Sequence, residues 1–147
     1  MDKVISYLYS FLDLPKGWHY GEGNAPSREL VILVEQLISL LSENGAEVFE
    51  VFPGVDGYIV VSAFKDKQHI DISCYSLTCF DFLLEENDEE LKDLTDLSYL
   101  HLLEEIKSLS WQQKRLSASS TSLISAMNLG DLKAHALKIH PITAAYP

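Results

Sequence analysis

Several stretches of the chain put chemically capable side chains at telling spacings. His69, Asp71 and Ser73 alternate, so they share one face of any strand that holds them. A histidine beside a carboxylate can act as an oriented acid–base pair, and a serine is the nucleophile such a pair would activate. Alternate residues of one strand are roughly 7 Å apart, too far for triad geometry, and the polar face of a half-buried sheet accounts for the pattern better. His101 is followed at i+3 and i+4 by Glu104 and Glu105, on neighbouring turns of a helix. Carboxylate di-metal proteins use the reverse order, Glu-x-x-His, repeated on other helices, and no such repeat occurs here. His135 and His140, with Lys138 between them, read as solvated surface. Cys74 and Cys79 are too few for a structural zinc site and read as small residues of a sheet. Gly21-Glu22-Gly23 resembles a phosphate cradle in outline only. It lacks the third glycine of the dinucleotide fingerprint and the Gly-Lys-Ser/Thr ending of a P-loop, no strong strand precedes it, and Glu22 would repel phosphate. No catalytic constellation is complete, and no metal or cofactor is expected.

The loop from Leu14 to Pro26 holds two prolines, three glycines and the aromatic run Trp18-His19-Tyr20. Proline fixes φ and glycine alone enters positive φ freely, so this is a shaped connector. Trp18 is expected to fasten it, with the indole packed against the sheet or helix edge and its N–H on a loop carbonyl. His19 and Tyr20 are the better candidates for contact with something else. A second punctuated turn follows at Pro53-Gly54-Val55-Asp56-Gly57. A pocket between the two, with His19, Glu22, Asp56 and His69 as its polar groups, would make the chain a small hydrolase or ligand-binding domain.

The elements that must position these residues follow from periodicity. Val4, Leu8, Phe11 and Leu12 mark one face of an N-terminal helix over 3–12. Ser27 is an N-cap, Leu30, Val34, Leu37 and Leu41 recur at helical spacing, and Asn44-Gly45 ends a long helix over 27–44. Residues 46–84 then change period. They carry strands at Ala46–Phe52, Tyr58–Phe64, His69–Cys74 and, as a fourth, Thr78–Leu84, joined by links too short for parallel crossovers. Asn87 to Glu90 has the form of a capping box, and Thr95 and Ser98 are alternative starts, so a second, acidic helix is predicted over about 95–109. The expected fold is α+β: a three- or four-stranded antiparallel meander packed by one long helix, with the acidic helix and a C-terminal tail. Residues 1–110 form the single domain, and 111–147 the Ser- and Ala-rich tail.

Charge narrows the partners. The 147-residue chain carries net charge −11 and is 47% hydrophobic. Residues 1–110 hold 21 acids against 7 bases, net −14, while 111–147 hold 1 acid against 4 bases, net +3. Such a body repels nucleic-acid phosphates and attracts a basic protein surface. The densest acidic run, Glu85, Glu86, Asp88, Glu89 and Glu90, reads as a solvated turn or as a docking patch. No apolar run is long enough for a membrane span, and the first residues lack the basic start and cleavage site of a signal peptide. The cytoplasm is the expected compartment.

The order of motifs resembles a loose group of short, uncharacterised bacterial, plasmid and phage proteins. In these a Leu-Pro-x-Gly-Trp loop precedes an amphipathic helix, and a Pro-x-x-Asp-Gly turn leads into a strand meander. The matching residues are Leu14, Pro15, Gly17, Trp18, Gly21, Gly23 and Pro26, then Pro53, Asp56 and Gly57. The resemblance covers roughly 14–84; it implies the helix-plus-meander plan and an accessory or mobile-element setting, and no functional residue. The function that fits these features is a non-enzymatic protein-binding module, an inhibitor, immunity factor or adaptor, that meets its partner through Trp18, His19, Tyr20 and the acidic run. Self-association through a sheet edge or the tail is a third reading.

Overall fold

The computed structural model of the chain describes residues 1–109 and Trp111. Helix α1 (Asp2–Ser10) runs into a 3-10 turn (Phe11–Asp13), which carries Leu8 and Phe11 into the core with Val4 and Leu12 packed beside them. Tyr9 donates to Glu35 Oε2 at 2.5 Å and fastens α1 to the long helix α2 (Arg28–Glu43). That bond also raises the Tyr9 pKa, because it is made to the protonated phenol. Helix α2 starts as the sequence predicts: Ser27 Oγ accepts from the Leu30 N–H at 3.1 Å, and Leu30, Val31, Val34, Leu37, Ile38 and Leu41 form its buried stripe.

Five strands follow: β1 (Val48–Pro53), β2 (Ile59–Lys65), β3 (Gln68–Cys74), β4 (Phe80–Glu86) and β5 (Glu89–Leu97). They form one antiparallel meander in the order β1-β2-β3-β4-β5, and α3 (Tyr99–Ser108) closes the described fold. Because side chains alternate across a strand, the register sorts them into two faces. On the inner face Val51, Val61, Ile72, Phe82 and Leu94 line up in one row, and Ile59, Cys74, Phe80 and Leu97 in another. These apolar rows are where the helices settle: α1 against β1, α2 against β2, and α3 against β4 and β5. Lys65 and Lys92 belong to the inner face too. Lys65 pairs with Glu47, and Lys92 Nζ lies 2.6 Å from Glu105 Oε2 on α3.

Two expectations are corrected. The meander has five strands rather than three or four, and the second helix starts neither in the Asn87–Glu90 run nor at Thr95 but at Tyr99, behind the alternative start Ser98. The residues read as a capping box, Asn87 to Glu90, build a hairpin. Asn87 and Asp88 take φ of 53° and 62°, the left-handed pair that a two-residue turn of matching twist requires. Glu89 onward can then only continue as a strand, and Ser98 caps the helix, its Oγ accepting from the His101 N–H at 3.3 Å.

Trp111, the first residue of the segment read as a tail, is 1% exposed and belongs to the core. Its indole Nε1 donates to Gln68 Oε1 at 2.5 Å, and its Cβ backs onto Gly45, where an added methyl would stand 3.4 Å away. The rest of that segment lies outside the described residues. Among the described residues no helix is long and apolar enough to cross a membrane.

Candidate functional site

With the helices on the inner face, the other face of the sheet is left uncovered by any helix among the described residues. The register sets its rows. His69, Glu85 and Glu90 run across β3, β4 and β5; Glu50, Ser62, Asp71, Leu83 and Asp93 run across all five strands; Ser73 and Asp81 form a shorter row. Lys65 and Lys92 point the other way, so His69 is the one basic side chain that the described strands place on this face. The result is a sheet face of one charge sign, with half-buried Val60, Phe64 and Leu83 between the carboxylates.

His69 is the centre of its polar network. Nε2 lies 3.0 Å from Asp71 Oδ1, Nδ1 lies 3.0 Å from Glu85 Oε2, and the ring stacks on Phe64 at 4.9 Å and 9°. Ser62 Oγ, almost fully buried, donates to the same Asp71 oxygen. Ser73, the serine singled out by the alternation, lies on the neighbouring row. This arrangement does not activate a nucleophile. A catalytic serine gives its proton to an imidazole nitrogen, whereas here the hydroxyl is held by the carboxylate and both ring nitrogens are taken up by carboxylates. The contacts hold the ring in place between two carboxylates and Phe64. Farther along the face, Tyr75 Oη donates to Asp81 Oδ2 at 3.0 Å. This bond, with some burial, raises the tyrosine's pKa.

The acidic run is split between the faces. Glu85 and Glu90 face outward as partners across β4 and β5. Glu86 and Glu89 pair on the helix side, where Glu86 Oε1 accepts from Gln68 Nε2 at 3.0 Å and joins the chain that ends on Trp111. Asp88 sits at the hairpin tip. The strands bring Asp71, Asp81, Asp93 and Glu50 to the outward face instead, and only the cross-strand register, which sequence spacing does not report, reveals that grouping.

The aromatic loop is a miniature hairpin. His19 and Glu22 exchange backbone bonds of 2.8 and 3.0 Å, Gly17 N–H donates to the Gly23 carbonyl at 2.8 Å, and Tyr20 and Gly21 take φ of 52° and 92° at the tip. Trp18 does bond a loop carbonyl, that of Asn24 at 3.3 Å, but its ring lies over Gly23 of its own loop and is only half buried. His19 meets the Trp18 and Tyr20 rings edge-on at 5.4 and 4.9 Å, and Tyr20 is 97% exposed.

The four polar groups of the hydrolase reading do not share a pocket. Asn24 N–H donates to the Val55 carbonyl at 2.8 Å and Asn24 bridges Asp56, so backbone closes the gap between the loop and the turn. His69 pairs with Phe64 at the far end of β2 from that turn, about 17 Å along the strand at five residues' rise. On α3, His101 bonds its own cap Ser98 at 3.1 Å while Glu105 holds Lys92. Comparison with protein-family models, with curated proteins and with solved structures gives no match.

Proposed function

We propose that the chain is a non-enzymatic protein-binding module, an inhibitor, immunity factor or adaptor of an accessory system, whose open sheet face docks a basic surface on its partner. The observation that carries this reading is the one-signed face: Glu50, Asp71, Asp81, Glu85, Glu90 and Asp93 surround half-buried apolar side chains, while the strand lysines turn inward. Electrostatic attraction of this kind sets on-rate and specificity, and the apolar centre supplies area to bury. Tyr20 is the second support. A bulky side chain held at positive φ and 97% exposed is unfavourable for the isolated fold, which fits a contact residue better than a structural one. The cytoplasm suits the reading, since thiols such as Cys74 and Cys79 stay reduced there.

The test is capture from the native host at low salt by the wild-type chain and by the triple variant Glu50→Lys, Glu90→Lys, Asp93→Lys. These carboxylates are exposed, so their reversal should leave the fold intact. A stoichiometric partner that binds wild type and is lost with the triple variant supports the reading. Equal capture by both, or no partner for either, overturns it.

A further inference from the structure

Among the described residues β1 has one neighbour, β2, so its other side is a bare backbone edge. The Gly54 N–H donates to the Tyr58 carbonyl at 2.7 Å, and the pairs Phe52↔Val60, Glu50↔Ser62 and Val48↔Phe64 continue from it. Antiparallel bonding alternates, which turns the amides of Glu50 and Phe52 toward β2 and those of Phe49 and Val51 outward. Pro53, the next outward position, has no N–H and ends the edge. Helix α1 runs alongside, and around the helix and this edge lies a groove of about 420 Å³ lined by Lys3, Val4 and Tyr7 of the helix and by Phe49, Glu50, Val51 and Phe52 of the strand. Tyr7 is 54% exposed and Phe52 48%. The opposite edge, β5, is protected by Glu90, Lys92 and Asp93, the usual guard against strand addition, and β1 has no comparable run of charges.

The two sides of the β1 edge differ in character. Toward α1 the strand presents the apolar Phe49 and Val51, beside Val4 and Tyr7 of the helix, with Lys3 at the rim. Toward the open face stand Val48, Glu50 and Phe52, all exposed, and Glu50 is the charged group among them, at the margin of the acidic surface. A strand added here would send alternate side chains to these two sides. We propose that the β1 edge receives an extended segment of the partner in which apolar residues alternate with lysine or arginine. The outward amides and carbonyls of Phe49 and Val51 bond its backbone, its apolar side chains enter the groove beside α1, and its basic side chains lie over Glu50 toward the acidic face. This rests on the acidic face being the docking surface and adds the partner's conformation and residue pattern.

The experiment titrates the full chain, followed by amide NMR shifts, with a capped hexapeptide of alternating lysine and valine, matched to the six residues of β1. The expected result is saturable binding with shifts at Tyr7, Phe49 and Val51, and a dissociation constant about tenfold or more weaker when the peptide amides facing β1 are N-methylated. A glutamate–valine peptide should not bind. If the N-methylated peptide binds equally well, with shifts confined to the Asp81 and Asp93 face, the edge proposal is overturned and the acidic-face reading stands. Equal binding of the glutamate peptide overturns both. If none of the peptides binds, the edge proposal fails, and the charge-reversal capture decides the acidic face separately. Concentration-dependent β1 shifts without peptide overturn it in favour of a second copy.

Discussion

Tyr20 is the residue at which stability and function pull apart. A non-glycine residue in the left-handed region costs roughly 1–2 kcal/mol, and Tyr20 accepts that at φ 52°. Tyr20→Asn creates the Asn-Gly pair that such a turn prefers, so thermal unfolding should show a gain of ~1 kcal/mol while affinity for the proposed basic partner drops. Gly23→Ala should act oppositely: φ is 106° there, and an added Cβ would stand 2.7 Å from Trp18 Nε1, so the indole must leave its place on Asn24. The readout is a red-shifted Trp18 emission in a Trp111→Phe background. Burial pushes the Cys74 thiol from 9.0 up to about 12. Below the lower value it is neutral in both states and stability is indifferent to it. Between the two the unfolded chain ionises first, so stability falls as pH rises, by up to ~1.4 kcal/mol per pH unit. Urea titrations at stepped alkaline pH should show that slope, and Cys74→Ala should remove this part of it.

At the scale of elements, the helices were legible because a cap, a 3.6-residue stripe and a terminator agreed, as at Ser27, Leu30 to Leu41 and Asn44-Gly45. The four strands within residues 46–84 were legible from β-branched runs between turn residues. The fifth was not, because β5 is acidic and its inward positions, Lys92, Leu94 and Leu97, are broken by a register shift. Asn87-Asp88 carried two legitimate meanings, helix cap and hairpin turn, and only the pairing partner Glu85-Glu86 decides between them. The candidate face was half legible for the same reason: Glu85 and Glu90 were found within one run, while Glu50, Asp71, Asp81 and Asp93 come together only through register. Asp88→Gly gives the hairpin its preferred residue at φ 62° and should raise the melting temperature by several degrees, about 1 kcal/mol. Asp88→Asn, which removes the charge but not the side chain, should recover only a part.

Across the whole molecule, Trp111 ties the end of the described chain to Gly45 and Gln68. Trp111→Ala should therefore cost about 3–5 kcal/mol by denaturant titration, a loss that composition alone would never assign to a Ser- and Ala-rich segment. If the open face docks a basic partner as proposed, affinity should fall by about tenfold or more from low to physiological ionic strength, measured by calorimetry, because that face carries carboxylates of one sign and the screening length shortens to ~8 Å. The strand order has a consequence for biosynthesis. Every strand pairs with its neighbour in sequence, so little loop entropy opposes the sheet once it begins. The helices α1 and α2, however, leave the ribosome before any strand exists to receive Leu8, Phe11, Val34 and Leu37. These two helices spend the early part of synthesis with their apolar sides wet, and resistance of the nascent chain to protease arrives late, as β2 to β4 clear the exit tunnel and give them a surface to close upon.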